Sequence, residues 1–365
     1  MFHEKTYIIH LYFRNALHVG TARSGAGIEA SQGYIHSDTF WAALTNYWAL
    51  LGSAGGITFE EFLRSFKAGN DFVGVEVNPS PLFTISSAFP FTSKGREYCY
   101  WLPKPLSVPL SLSCENSEDS RDRERLLFGK STKKARFLSR ESFSRWQIFI
   151  APVGYEVEKN SYDASGESEV RPQSAIDRIS SRSNLFHSGI SYLDANNERE
   201  GLFVLLRTSD KRVEKALDEI LGVIRDAGGI GGDISSGCGE LSNYYIEPVA
   251  EDDQSWAFLR GFDGANANCL LSLCLPRNPT EISDHLVAFD TVLRKGWTGS
   301  LTTNIQRKRK TVYMLSEGTV LTEQETGCMA NVTPDNLSTP EWQGLHEVYR
   351  YGYGFSVPIR INLED

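Results

Sequence analysis

Twelve residues from Gly228 to Gly239, GGIGGDISSGCG, hold six glycines and two serines. Glycines reach positive φ and leave backbone N–H groups uncovered, so a loop of this kind suits an oxyanion, above all a phosphate. Its place in the chain narrows the chemistry. A dinucleotide or P-loop fingerprint runs strand, glycine loop, helix, whereas this loop follows a helical pattern, leads into a strand pattern and lacks the GK[ST] ending. Nucleotide hydrolysis is therefore not expected. The GGD at 231–233 has the look of a polymerase or cyclase palm, yet Ile234 follows it and no second carboxylate adjoins for two-metal chemistry. The bland alternative is a flexible helix-to-strand connection.

Two histidines offer acid–base chemistry, His18 after the first strand pattern and His36 directly before Ser37 and Asp38. Each also has a structural explanation: a hydrogen-bonding ring at a loop mouth for His18, and a helix-start hydrogen bond within the HSD triplet for His36. The cysteines are Cys99, Cys114, Cys238, Cys269, Cys274 and Cys328, with no CxxC pair for a zinc knuckle or redox motif. They read as buried thiols. Cys269 and Cys274 lie five apart in the run CLLSLC, so on a strand they point to opposite faces and cannot share a metal.

These groups need elements to position them. Lys5 to Arg14 is a β-branched and aromatic run that puts Tyr7, Ile9, Leu11 and Phe13 on one strand face. After a polar, glycine-rich stretch, HSDTFWAALTNYWALLG reads as a helix capped by Ser37 or Asp38, carrying Phe40, Trp41, Leu44 and Trp48 and closed by Gly52. From about 91 to 200 the periodicity breaks down, with prolines at 103, 105, 109, 152 and 172, and the stretch reads as an insertion. A strand at 201–208 then leads into a helix with Val213, Ala216, Leu217, Ile220, Leu221 and Ile224 at helical spacing, the glycine loop, and the strand ELSNYYIEPV. This is the β-α-β-β-α-β order of an α+β, ferredoxin-like or RRM-like domain, spanning 1–247. A second, strand-rich domain is expected over 248–365, where Tyr349, Tyr351, Tyr353 and Phe355 alternate along a last strand as core or as a stacking platform.

Length and charge bound the function. The chain has 365 residues, with 37 basic and 46 acidic side chains and a formal charge of −9. That balance argues against coating a duplex by bulk electrostatics, but it leaves room for a local site. Positive charge is concentrated: Arg294 to Lys310 holds six basic and no acidic residues, and Arg121 to Arg145 nine basic and three acidic. No apolar run reaches the roughly 20 residues of a membrane span, and the start lacks a signal-peptide pattern, so a cytoplasmic protein is expected.

Seven pieces in order then carry a resemblance: LHVG (17–20), HSDTFWAAL (36–44), ISSAFPF (85–91), YWLPKPL (100–106), AIDRI…LFHSG (175–189), GIGGDISSGCGEL (229–241) and YRYGYGFSVPI (349–359). Together they resemble the RAMP superfamily, and their order is similar to that of the fourth Csm subunit of type III-A CRISPR effector complexes. The resemblance implies two ferredoxin-like domains and a non-catalytic scaffold that caps the repeat-derived 5′ handle of CRISPR RNA. It implies as partners the large polymerase-cyclase subunit and the RNA-cleaving backbone RAMP subunits, with no cofactor, no membrane and no direct DNA contact.

On that reading the RNA-binding positions are His18, Arg23, Arg178, Arg182, Phe186, His187, Ile230, Gly231, Gly232, Asp233, Ser235, Ser236, Gly237, Arg294 and Lys295. Backbone amides with Ser235 and Ser236 would bond phosphates of a single strand, and an arginine beside an aromatic in a hairpin would suit a kinked nucleotide. The family's cleaving subunits carry an aspartate in the first long loop; Glu29 stands there in this chain, so catalysis does not carry over. Relatives often have an aromatic where Cys238 stands, so stacking from that position is not expected. The alternative is a metal-independent endoribonuclease processing repeat RNA, with His18 or His36 as general acid or base. A third class is a phosphometabolite-binding enzyme using the glycine loop alone. The 107–145 stretch is open to two readings, a subunit interface or a further RNA contact.

Overall fold

Strand β1 (Lys5–Phe13) buries Tyr7, Ile9, Leu11 and Phe13 in one apolar cluster, while Ile8 packs into another on the opposite face, as a period of two requires. The computed structural model that shows this describes residues 4–14, 16–20, 28–29, 31–67, 81–95, 97–107, 135–148, 161–162, 167–176, 179–193, 199–298, 307–334 and 347–361. Helix α1 (Ser37–Leu51) buries Phe40, Trp41, Leu44 and Trp48 and stops at Gly52, whose φ of +73° is open to glycine at no steric cost. The expected side-chain cap is not there. His36 is the N-cap residue and makes no side-chain cap bond, while Asp38 turns inward to an ion pair.

Helix α2 (Phe59–Lys67) follows, then β2 (Phe89–Lys94), β3 (Glu97–Pro103), β4 (Phe137–Ser139) and α3 (Arg140–Gln147). The hairpin β5 (Glu167–Ile176) and β6 (Ser183–Tyr192) precedes β7 (Arg199–Thr208), α4 (Arg212–Ala227) and β8 (Leu241–Pro248). The main sheet is antiparallel in the order β8-β1-β7-β2-β3-β4. The stretch read as an insertion from 91 is thus corrected at its start, because β2 and β3 extend this sheet. Nor is the hairpin aperiodic: it pairs Glu167 with Tyr192 through to Ile176 with Ser183. Its Pro172 breaks the sequence pattern, yet β5 is an edge strand, where proline is tolerated.

The C-terminal third contributes β9 (Ala267–Leu270), β10 (Leu286–Ala288), β11 (Thr291–Arg294), β12 (Val312–Leu315), β13 (Val320–Leu321) and β14 (Ser356–Ile359). They form a sheet in the order β10-β13-β9-β14 and a separate ribbon, β11 with β12. Two cores flank the main sheet. On one face α1, α2 and α4 pack over β1 and β7. On the other, Trp256, Phe258, Leu259, Phe355, Val357 and Ile359 cover Ile8, Phe89, Phe203 and Leu205. The alternating aromatics near the C-terminus split between these cores. Tyr351 and Tyr353 enter the helical core, where Tyr353 donates to the Phe66 carbonyl at 2.9 Å, and Phe355 enters the second. Cys269 and Cys274 lie in different clusters, as their spacing requires.

Candidate nucleic-acid interface

The glycine loop begins where α4 ends and folds back on the segment after β1. Gly232 N–H donates to the His18 carbonyl at 2.9 Å, and Gly239 N–H to the Ala16 carbonyl at 2.9 Å. A Cβ on Gly231, whose φ is +109°, would fall 2.6 Å from the His18 carbonyl oxygen, and one on Gly232 2.7 Å from His18 Cδ2. These two glycines are therefore fixed by close approach to His18, a backbone reason that glycine density alone did not reveal.

That packing uses most of the amides expected to meet phosphate. Gly228, Gly229, Ile230, Gly232, Ser236, Gly237, Cys238 and Gly239 all donate to acceptors within the protein. Among the described residues, the amides of Gly231, Asp233, Ile234 and Ser235 meet no acceptor, and Ile234, Ser235 and Ser236 are exposed. The amides left without an acceptor thus lie at the loop tip, 231–235. Ile230 is corrected: its side chain is buried in the helical core. Cys238 is buried too, and burial pushes its thiol up.

Asp233 holds the tip in shape. It adopts φ +53°, a conformation that asparagine and aspartate tolerate better than most side chains. Its carbonyl accepts from Ser236 N–H at 2.9 Å and Cys238 N–H at 3.2 Å, and its Oδ2 accepts from Ser188 Oγ at 2.9 Å. Ser188 lies on β6, so this bond ties the hairpin to the loop. His18 Nδ1 is 2.6 Å from the Gly189 carbonyl and 3.3 Å from Ser188 Oγ. A carbonyl only accepts, so Nδ1 carries the proton, and in the neutral ring Nε2 is the acceptor on the loop side. Ser188 was not singled out from the sequence; its one signal is a small hydroxyl between His187 and Gly189, level in register with the short strand at Glu29.

The structure therefore gathers His18, Gly231, Gly232, Asp233, Ser235, Ser236 and Gly237 at one place, with Ser188 between them. His187 is part-buried on β6 next to Ser188, and Phe186 pairs with Gln173 on β5. Arg182 is exposed at the hairpin turn. Arg23 and Arg178 lie outside the described residues. Arg294 is corrected: it is 8% exposed and bound to Asp38 through Nε and Nη2, at 2.9 Å each, which leaves it turned away from solvent. Lys295 beside it is exposed. His36 is 1% exposed, its Nδ1 2.7 Å from Glu317 Oε1, with Ser87 Oγ also donating to that oxygen. Burial alone would push the Glu317 carboxyl up, but His36 and Ser87 hold it below its ordinary value. Among the described residues no group of His, Cys, Asp and Glu side chains gathers that could hold a metal ion, and no helix is long and apolar enough to cross a membrane.

Residues 10–242 match the family model of the RAMP superfamily, and residues 263–359 match that of the CRISPR Csm4 C-terminal domain. No curated protein sequence matches the chain. Among solved structures, one similar chain comes from a Csm3-Csm4 subcomplex of a type III-A CRISPR-Cas interference complex, at 14% identity and TM-score 0.55, covering 98% of this chain and 100% of that one. Another comes from a Csm1-Csm4 cassette in complex with AMPPNP, at 16% identity and TM-score 0.52, covering 99% of each. At these identities the likeness concerns the fold. The chain belongs to the RAMP superfamily. Within it, the C-terminal match marks the chain as a Csm4-type subunit.

Proposed function

We propose that this chain is a non-catalytic RNA-binding scaffold of a type III-A CRISPR ribonucleoprotein, one that holds the repeat-derived 5′ handle of CRISPR RNA. In the same reading it links the large polymerase-cyclase subunit to the backbone of RNA-cleaving subunits. The observation that carries the proposal is the loop tip at 231–236, where unpaired amides and two exposed hydroxyls stand beside His18. Neutral donors in a row suit successive phosphates of a strand whose bases are splayed apart. The similar chains come from a Csm3-Csm4 subcomplex and a Csm1-Csm4 cassette, which supports the two kinds of partner.

We also propose two ferredoxin-like domains dividing near residue 248. The order β1, α1, β2, β7, α4, β8 with the sheet order β8-β1-β7-β2 supports the first of them. The non-catalytic part of the reading is supported by the burial of His36 and by the commitment of the Asp233 carboxylate to Ser188. Affinity purification from the native cells at moderate salt, followed by 5′-end sequencing of bound RNA and mass spectrometry of partners, tests it. Short RNAs sharing one repeat-derived 5′ end, with other RAMP subunits, are expected. Their absence refutes the handle reading, and a cyclic-phosphate product from naked repeat RNA, abolished by His18→Ala, refutes the non-catalytic one.

A further inference from the structure

We infer that the β-ribbon built from residues 294–298 and 307–313 is a second surface for single-stranded RNA, distinct from the handle site and centred on Trp297. The ribbon continues the β11-β12 pair outward. Trp297 is bridged to Lys308, Arg309 N–H donates to the Gly296 carbonyl at 2.9 Å, and Thr298 N–H to the Arg307 carbonyl at 2.7 Å. Alternation along its two strands then sorts the side chains. Lys295, Trp297, Lys308 and Lys310 are exposed, while Arg294 and Thr298 are buried and Arg309 is half-buried.

The outer face has both parts of a single-strand reader. Trp297 is 55% exposed, with Lys308 Nζ 5.5 Å from its ring centre, and Tyr313 further along the ribbon is 66% exposed. Aromatic planes stack bases whatever their sequence, and adjacent cations follow the phosphates. The inner face keeps the ribbon in place and adds to its charge. Arg294 and Arg350 bind Asp38, yet among the described residues Arg350 Nε and Nη2 and Arg309 Nε are buried without an acceptor. Three guanidinium groups against two buried carboxylates, Asp38 and the Glu317 near Arg294, leave positive charge in excess beneath a strand pair that has no acidic residue from 294 to 310, in a chain whose net charge is −9. A polyanion with flat, π-faced units meets both requirements together. An acidic peptide would meet the lysines alone.

The test is fluorescence anisotropy of a labelled 20-nucleotide oligouridylate with the full-length chain over a range of salt, for wild type, Trp297→Ala, Lys308→Glu with Lys310→Glu, and Ser235→Ala with Ser236→Ala. Trp297→Ala is expected to weaken binding on the order of tenfold. The double charge reversal is expected to flatten the plot of log K against log salt by about 0.7 for each phosphate that the lysines no longer neutralise. Both effects should persist in the loop-variant background, which separates this surface from the handle site. Since the altered side chains are exposed, circular dichroism and melting should stay at wild-type values. Ribbon variants with wild-type affinity and salt slope overturn the inference. So does unchanged RNA binding in ribbon variants that lose a co-purifying protein subunit, which would make the ribbon a protein-facing surface.

Discussion

Asp38→Asn removes one charge and almost no volume, at the point where the first helix meets the last third of the chain. The Asp38 side chain is fully buried, Arg294 donates to both of its oxygens at 2.9 Å, and Arg350 Nη1 donates to Oδ2. Burial alone would push this carboxyl up, but Arg294, Arg350 and His36 outweigh it and hold it well below the usual carboxylate range. Breaking a buried pair by removing one partner costs about 3–5 kcal/mol, because the guanidinium groups stay behind without their counter-charge. With a urea slope of about 3 kcal/mol/M, the unfolding midpoint should fall by about 1–1.7 M. The sign of the pH dependence follows from the depressed value. The stabilisation is complete above the unfolded-state value of about 4 and is lost as pH falls through the folded one. The deficit of Asp38→Asn should therefore be equal at pH 8 and pH 5 and shrink only in stronger acid. Arg64→Ala is the control, since its pair with Glu60 is 78% and 79% exposed, and the midpoint should hardly move. Asp38→Leu with Arg294→Met, Arg309→Met and Arg350→Met removes the carboxylate together with the three arginines that face it and should recover much of the loss. An Asp38→Asn cost below about 1 kcal/mol, or a deficit that grows in acid, would refute the reasoning.

Three further outcomes follow from single interactions. Gly231→Ala puts a Cβ against the His18 carbonyl at positive φ, so it should cost about 1–3 kcal/mol in urea unfolding and strip handle RNA from the purified complex at lower salt. Ser188→Ala leaves Asp233 Oδ2 without its donor; a loss of about 1 kcal/mol is expected, with faster hydrogen exchange at the Ser236 and Cys238 amides that the Asp233 carbonyl holds. Tyr353→Phe deletes the bond to the Phe66 carbonyl and should cost about 1 kcal/mol, whereas Tyr353→Ala also opens a core cavity and should cost about 3–5, both read from denaturant midpoints.

Local patterns were legible in the sequence, and long-range pairings were not. The period-two burial of Tyr7, Ile9, Leu11 and Phe13 and the helical stripe from Val213 to Ile224 are both observed, since each depends only on neighbours within one element. Asp38 shows the opposite case. Its place before an apolar helical run satisfies every local rule for a cap, but two arginines more than 250 residues away compete for it and win. The loop tip was found by glycine density, while its latch to Ser188 depended on a hairpin whose register no local signal gives. The basic run from 294 to 310 was visible as charge, but its division into an inner structural face and an outer open one required the strand pairing.

That division bears on how the two proposed RNA surfaces of an acidic protein are held. The buried charges here do not lie at random; they join the N-terminal sheet to the C-terminal third. Asp38 on α1 is held by Arg294 and Arg350, His36 by Glu317, and Arg207 on β7 donates to the Ser356 and Leu259 carbonyls while its guanidinium sits 4.2 Å from the centre of the Phe355 ring. Apolar burial crosses the same boundary through Tyr351 and Tyr353 on one face and Val357 and Ile359 on the other. Hydrophobic contact alone is non-directional and would tolerate sliding, whereas ion pairs and carbonyl bonds at fixed geometry set one register. The loop that follows α4 and the ribbon beyond β11 are thus carried on one frame. An RNA strand that touches both would meet donors whose spacing is set before it arrives, so less of its binding energy goes to ordering the protein.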